Sequence, residues 1–187
     1  MKINEAILNR RSVRKFTDDL SPQEDLIKIV EAARWAPTAA NRQKTRFVVV
    51  TDEELLQKIV NNAKIVFYKQ KHASQAKAMI VVCLDSTTWV SETGAQIQNI
   101  LLVAYSLGIG SCWIGAFKHE KVRKILKIPQ NYELIALILL LNTVGFARSP
   151  DMKHTQDVAY LLFSFIPRIS LSKFVFCVPD FTSLFIH

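Results

Sequence analysis

Two continuous apolar runs, each too short to span a membrane as a helix, place the strongest constraint on the fold. Residues 79–84 read Met-Ile-Val-Val-Cys-Leu, and residues 134–141 read Leu-Ile-Ala-Leu-Ile-Leu-Leu-Leu. Runs of this length without polar alternation are typical of strands buried on both faces. A third run, Phe47–Val50, is rich in β-branched residues. The sequence therefore predicts a sheet whose strands are buried.

Helical segments alternate with these strands, and Ser111–Ile114 can add a further short strand. Apolar spacing and capping residues predict helices over residues 4–11, from Ser21-Pro22 to Ala36, from Thr51–Glu54 through Val60, from Ser91 or Thr93 to Leu107, and over 119–126. We therefore expect an α+β domain with a central mixed sheet flanked by helices.

The 187 residues suffice for one domain with a substantial core. We assign residues 1–157 to this domain. Residues 158–187 form a separate tail that holds six of the eleven phenylalanines. So much aromatic surface is expected to pack on the body or on a partner subunit.

Composition excludes several classes of protein. Half of the residues are hydrophobic and the net charge is +8, but no nucleic-acid signature accompanies that charge, so a basic solvated surface explains it equally well. The three cysteines form no CxxC pair and the four histidines share no ligand spacing, so no metal site is predicted.

The start lacks the apolar block of a secretory signal, and we expect a cytoplasmic protein that binds neither nucleic acid nor a membrane.

Three polar segments could carry chemistry. The first, Arg10 to Lys15, contains three arginines and a serine, which can donate several hydrogen bonds to a phosphate. The second, Ala36 to Gln43, places small residues around a proline, so that a ligand can approach the backbone. The third, Leu107 to Gly115, contains Gly-x-Gly but is not a dinucleotide fingerprint. A solvated face, an ordinary loop and a helix cap would account for each segment taken alone.

No Ser-His-Asp order, carboxylate pair or GKS loop occurs, so no catalytic side chain is predicted. Their absence favours chemistry that is carried by a bound cofactor.

Taken together and in this order, the segments resemble the FMN-dependent nitroreductase family from Ile3 to about Val158. The matching pieces are Arg10-Arg11-Ser12-Val13-Arg14-Lys15-Phe16, Ala32-Ala33-Arg34-Trp35-Ala36-Pro37-Thr38-Ala39-Ala40-Asn41-Arg42-Gln43, Arg46 to Thr51, Gly94 to Leu102 and Leu107 to Gly115. The resemblance implies a sandwich fold and an intertwined homodimer with FMN bound at the subunit interface.

The resemblance also implies roles for individual residues. Arg10 and Ser12 would bind the FMN phosphate, with Arg11 on the ribityl side, and Arg14 would support the N1–C2 edge of the flavin electrostatically. The second subunit would supply Pro37, Thr38, Ala39, Asn41 and Gln43. Ile114 and Gly115 would run beside the ring.

The family usually brings a late basic residue to the phosphate after a Gly-Tyr-Pro-like turn. Gly145-Phe146-Ala147 stands in that place here, and Lys153 is the best candidate for the basic residue. The tail after Val158 departs from the family pattern.

The implied activity is electron transfer from NADPH or NADH through FMN to a small acceptor such as a nitroaromatic, a quinone or a flavin, in ping-pong fashion at flavin N5. The alternative is a flavin-binding sensor or carrier without turnover.

Overall fold

The computed structural model describes residues 2–13, 22–62 and 76–142, together with two short strands near the C-terminus. The chain divides into two compact units, Met1–Ser149 and Pro150–His187. The predicted boundary between residues 157 and 158 lies outside the described residues.

In the first unit the helices are α1 (Ile3–Asn9), α2 (Gln23–Arg34), α3 (Glu53–Val60), α4 (Ser91–Ser106) and α5 (His119–Leu126), with a 3-10 turn at Ala39–Asn41. Its strands are β1 (Thr45–Val50), β2 (Ala78–Asp85), β3 (Ile109–Ile114) and β4 (Tyr132–Asn142). In the second unit, β5 (Phe174–Phe176) pairs antiparallel with β6 (Leu184–Ile186).

Local signals set several of these boundaries. The Asp52 carboxylate accepts a hydrogen bond of 2.7 Å from the Leu55 N–H and so caps α3, within the Thr51–Glu54 segment that is predicted to open this helix. Gly108, with a φ of 76°, follows the end of α4, as its C-terminal glycine was expected to do. Helix α2 begins one residue later than predicted, because Pro22 occupies the capping position, and the predicted cap Ser21 lies outside the described residues.

The four strands of the first unit form one sheet in the order β1-β2-β4-β3, and every ladder in it is antiparallel. Strands β2 and β3 run in the same direction, as expected for strands joined by helix α4, but β4 inserts between them. For this reason the mixed character predicted from the sequence is reduced, among the described residues, to one parallel bridge between Ser12 and Ser111.

Helices cover both faces of the sheet, so the expected α+β sandwich is confirmed. On one face α2 and α4 pack against alternate strand residues such as Ile80 and Ile138. On the other face α3 and α5 pack against their neighbours, such as Val81 and Leu137. Both central strands are therefore buried on two sides, which explains why they are apolar throughout.

Helix α4 is the most buried helix of this unit. The side chains of Ile97, Ile100 and Ala104 are inaccessible to solvent, and the Asn99 amide donates a hydrogen bond of 2.9 Å to the carbonyl of Ala32 in α2. Within the described residues, no helix has both the length and the apolar character needed to cross a membrane.

Candidate cofactor site

The residues that follow α1 lie against the free edge of β3. We call Arg10–Val13 the arginine segment. The Arg10 N–H ends the helix by donating to the Ala6 carbonyl, Ser12 forms the parallel bridge with Ser111, and the Val13 N–H donates to the Ser111 carbonyl over 3.0 Å. The sheet edge therefore fixes the backbone that carries Arg10, Arg11 and Ser12.

Arg10 and Arg11 are consecutive residues of this segment, and both are half-buried. Burial lowers the pKa of Arg10, the neighbouring positive charge of Arg11 lowers it further, and Cys112 acts in the opposite direction. One terminal nitrogen of Arg11 donates to the Arg10 carbonyl over 2.6 Å, but its buried Nε has no partner within the described residues.

No carboxylate of the described residues forms an ion pair with Arg10 or Arg11. Partly desolvated like charges with an unused buried donor are costly unless an anion accompanies them. The segment therefore fits a phosphate group, which arginines bind through several donors at once.

The second segment, which we call loop 37–43, connects α2 to β1. Pro37, Asn41 and Gln43 are exposed, whereas Thr38 and Ala39 are half-buried. The Gln43 N–H donates to Thr38 Oγ1 over 3.2 Å, and the Gln43 amide donates to Asn41 Oδ1 over 2.8 Å. The loop thus organises its own polar groups and leaves several of them accessible to a ligand.

The backbone of loop 37–43 is strained. Ala40, Asn41 and Gln43 have φ angles of 50°, 53° and 48°. Asparagine tolerates this left-handed region, but alanine and glutamine pay about 1 kcal/mol or more each. Contacts outside these residues must therefore hold the conformation.

One such contact comes from Glu92, in the first turn of α4, which sequence reasoning missed. Its Oε1 accepts a hydrogen bond of 2.9 Å from the Ala39 N–H. A glutamate in the first turn of a helix ordinarily lies on the surface, where it favours the helix dipole. Glu92 is instead only 8% exposed, and the polar Thr93 and Gln96 beside it in an apolar helix are the available sequence signal.

A cavity of about 250 Å³ lies beside this loop, between α2, β1 and α4, with Gln43, Thr45 and Gln96 in its lining. Ligand pockets usually begin at about 300 Å³. This cavity does not provide a cofactor-sized enclosure from one subunit alone.

Ile114 and Gly115 lie at the end of β3. Ile114 is buried and pairs with Leu137, whereas Gly115 follows the last paired residue and is exposed. A Cβ atom at Gly115 would meet nothing within 4 Å. The backbone at Gly115 is open to the close approach of a flat ring, and Ile114 beside it lies three residues along β3 from Ser111, or about 10 Å.

The structure brings together some of the predicted site residues and separates others. The arginine segment shares the β3 edge with Ile114. Loop 37–43 leads instead into β1 at the opposite edge, and four strand spacings, roughly 19 Å, separate β1 from Ser12.

The two segments are also offset along the strands. Thr45 is aligned through Leu84 with Glu133, whereas Ser111 is aligned with Leu140. Seven residues of β4 correspond to about 24 Å. The segments therefore lie at diagonally opposite corners of the sheet. Arg14 and Lys153, the other two predicted cofactor contacts, lie outside the described residues.

The similarity to known proteins extends over the parts of the sequence that form both corners of the sheet. The model of the nitroreductase family matches residues 7–87 and 65–141. A protein of Archaeoglobus fulgidus assigned as an NADH dehydrogenase/NAD(P)H nitroreductase is 37% identical over 145 residues, which cover 72% of this chain and 81% of that protein.

Solved structures show the same fold. A crystal structure from Parabacteroides distasonis, assigned as an NADH dehydrogenase/NAD(P)H nitroreductase, has a TM-score of 0.73 and 29% identity and covers 83% of this chain and 94% of its own. A nitroreductase from Desulfovibrio desulfuricans, solved in complex with FMN, has a TM-score of 0.73 and 25% identity over 84% of this chain and 95% of its own. This chain therefore belongs to the nitroreductase family.

Proposed function

We propose that this protein is an FMN-dependent oxidoreductase that transfers electrons from NADPH or NADH to a small acceptor. Family membership supports the oxidoreductase class, and the arginine segment is the observation that carries the cofactor. It presents half-buried guanidinium groups and an unused buried donor, and no carboxylate in the described part of the chain neutralises them. A phosphorylated ligand supplies the missing anion.

Each described residue has a defined part in this proposal. Arg10 and Ser12 hold the phosphate and Arg11 lies alongside on the ribityl side, because the bridge to Ser111 fixes their backbone against the sheet. Ile114 and the open backbone at Gly115 lie along the ring. For Arg14, at the N1–C2 edge, and Lys153, at the phosphate, the roles stay predictions from the sequence.

When bound, FMN supplies the redox chemistry, with hydride exchange at N5 in two successive half-reactions. The protein's own contribution is position and electrostatic field. Fixed cations near the negatively charged parts of the cofactor stabilise charge without reorganisation during the reaction. Because the flavin carries the reaction, the chain need not supply a nucleophile or an acid–base pair. The acceptor we propose is a nitroaromatic, a quinone or a free flavin.

We further propose an intertwined homodimer in which loop 37–43 reaches the site of the other subunit. The diagonal separation of the two segments prevents one subunit from placing both of them on a single flavin. Helix α1 also exposes Ile3 and Leu8, each 70% exposed, and Trp35, which directly follows α2, is exposed as well. A partner subunit would cover such apolar side chains. The cytoplasmic location stays a prediction from the sequence.

Anaerobic addition of NADPH or NADH to the purified protein tests the proposal. The protein should be yellow as isolated, and its flavin absorbance near the visible maximum should bleach within seconds and return when a nitroaromatic or a quinone is added. A yellow protein that stays oxidised would favour the sensor or carrier. A colourless protein with no affinity for added FMN would contradict both.

A further inference from the structure

Glu92 forms a link between α4 and loop 37–43 that spans 53 residues of sequence. Its Oε1 accepts the Ala39 N–H over 2.9 Å, at the point where the loop enters its 3-10 turn. The side chain is 8% exposed, and its Oε2 is buried without a partner within the described residues. Burial of a carboxylate with one unsatisfied oxygen is unfavourable, so packing alone does not explain a glutamate here.

The residues held by this bond adopt a conformation that they do not favour by themselves. Ala40 and Asn41 follow Ala39 directly, and both have positive φ angles, as does Gln43. Thr38 Oγ1 and the Asn41 side chain support the loop from within. Arg46 of β1 also donates to the Gln43 carbonyl over 2.8 Å, at the other end of the loop. Glu92 ties the loop to α4, a helix whose Ile97, Ile100 and Ala104 side chains are inaccessible to solvent.

We propose that Glu92 is a positioning residue for the cofactor: it holds loop 37–43 in the strained conformation that the loop needs to contact FMN. This inference rests on the proposed function, since it takes that loop to be part of the flavin site. Glu92 itself need not touch the flavin, and the loop transmits its effect.

The first test compares FMN affinity among holoprotein variants, measured by flavin fluorescence on dilution. Glu92→Ala removes the acceptor for the Ala39 N–H and should weaken FMN binding about tenfold, the effect of one lost hydrogen bond to a charged group. Glu92→Gln keeps a carbonyl acceptor and should stay within about threefold of the wild-type affinity. Gln98→Ala, at an exposed position of the same helix, is the matched control and should leave the affinity unchanged.

The second test separates positioning from a general effect on the fold. Ala40→Gly makes a positive φ easy to adopt. When it is combined with Glu92→Ala, the FMN affinity should therefore rise about threefold above that of Glu92→Ala alone. A glycine in a loop cannot repair a packing defect in α4, so rescue distinguishes the two roles. Thermal unfolding of each variant shows whether the fold is retained.

The outcomes also separate this inference from the proposed function. If wild type binds FMN and folded Glu92→Ala binds it equally well, the positioning role is wrong and the function stands. Loss of affinity that Ala40→Gly fails to rescue would also overturn it, because the effect would then lie in α4. A wild-type protein that binds no FMN would overturn both.

Discussion

At the scale of single residues, the arginine segment shows that a binding site can be recognised from partly buried charges that have no ion-pair partner among the described residues. Arg10 and Arg11 are adjacent and half-buried, and among the described residues no carboxylate pairs with either. Arginine keeps its charge in such surroundings. The side chains are therefore able to bind an anion. Their contribution can be measured by comparing the affinities for FMN, which carries a phosphate, and for riboflavin, which does not.

Arg10→Ala should weaken FMN binding by about tenfold, because it removes a charge-assisted donor from the phosphate. Riboflavin has the same ring but no phosphate, so its affinity should change little. Titration of wild type and variant with both flavins measures the difference. Equal losses for the two flavins would place Arg10 at the ring or in the fold, and Lys121→Ala, an exposed lysine of α5, serves as the charge-matched control.

Cys83 provides a second prediction, for stability against pH. Burial raises the pKa of this thiol from its ordinary value of 9.0 to about 11, and the charge of Arg123 offsets only part of the rise. Between these values the unfolded chain loses the thiol proton while the folded protein keeps it. Stability from this group is therefore present below pH 9 and is lost as the pH rises towards 11.

Urea unfolding between pH 8 and 11 measures this effect. The wild-type protein should lose on the order of 2 kcal/mol more than Cys83→Ala over the interval, since two pKa units correspond to at most about 2.7 kcal/mol. Lysines titrate in the same range, but they do so in both proteins and cancel in the comparison. Parallel pH profiles would show that the thiol is not desolvated in the folded state.

At the scale of secondary-structure elements, the sequence predicts the features that depend on neighbouring residues and misses those that depend on residues far apart in the chain. The α5 bounds and the opening of α3 at Thr51–Glu54 follow from neighbouring residues, and both are confirmed. The insertion of β4 between β2 and β3 depends on register between distant strands, so alternation of elements could not reveal it. Glu92 was missed for the same reason, because its partner Ala39 is 53 residues away.

The candidate site combines local features, which the sequence shows, with an arrangement that depends on distant strands. The three segments that could be identified from donors, small residues and glycines are also the ones that the family resemblance joins. Their arrangement at opposite corners of the sheet could not be predicted from the sequence alone, since it follows from the strand order.

Gly108, at the end of α4, gives a prediction at this scale. Its φ of 76° suits glycine, and a Cβ atom there would meet nothing within 4 Å. Gly108→Ala should therefore destabilise the protein by about 1 kcal/mol through backbone conformation alone, whereas Gly108→Asn should cost less because asparagine tolerates this region. Chemical unfolding of both variants decides the matter, and equal costs would indicate a steric clash instead.

At the scale of the whole molecule, the diagonal separation of the arginine segment and loop 37–43 determines how complete sites can form. If each site takes the arginine segment from one subunit and the loop from the other, the homodimer contains two shared sites related by its symmetry axis. A subunit altered in one segment still carries the other segment intact. Two variants that bind FMN weakly because a different segment is altered in each should then be able to complement each other.

Mixing Arg10→Ala with Asn41→Ala after joint unfolding and refolding tests this arrangement. Random pairing makes about half of the dimers mixed, and each mixed dimer has one site with both segments intact and one with neither. About a quarter of all sites should therefore regain wild-type FMN affinity, although neither variant alone shows any. Light scattering confirms that each variant dimerises. A refolded mixture without high-affinity sites would mean that one subunit supplies both segments, and the shared-site arrangement would then be wrong.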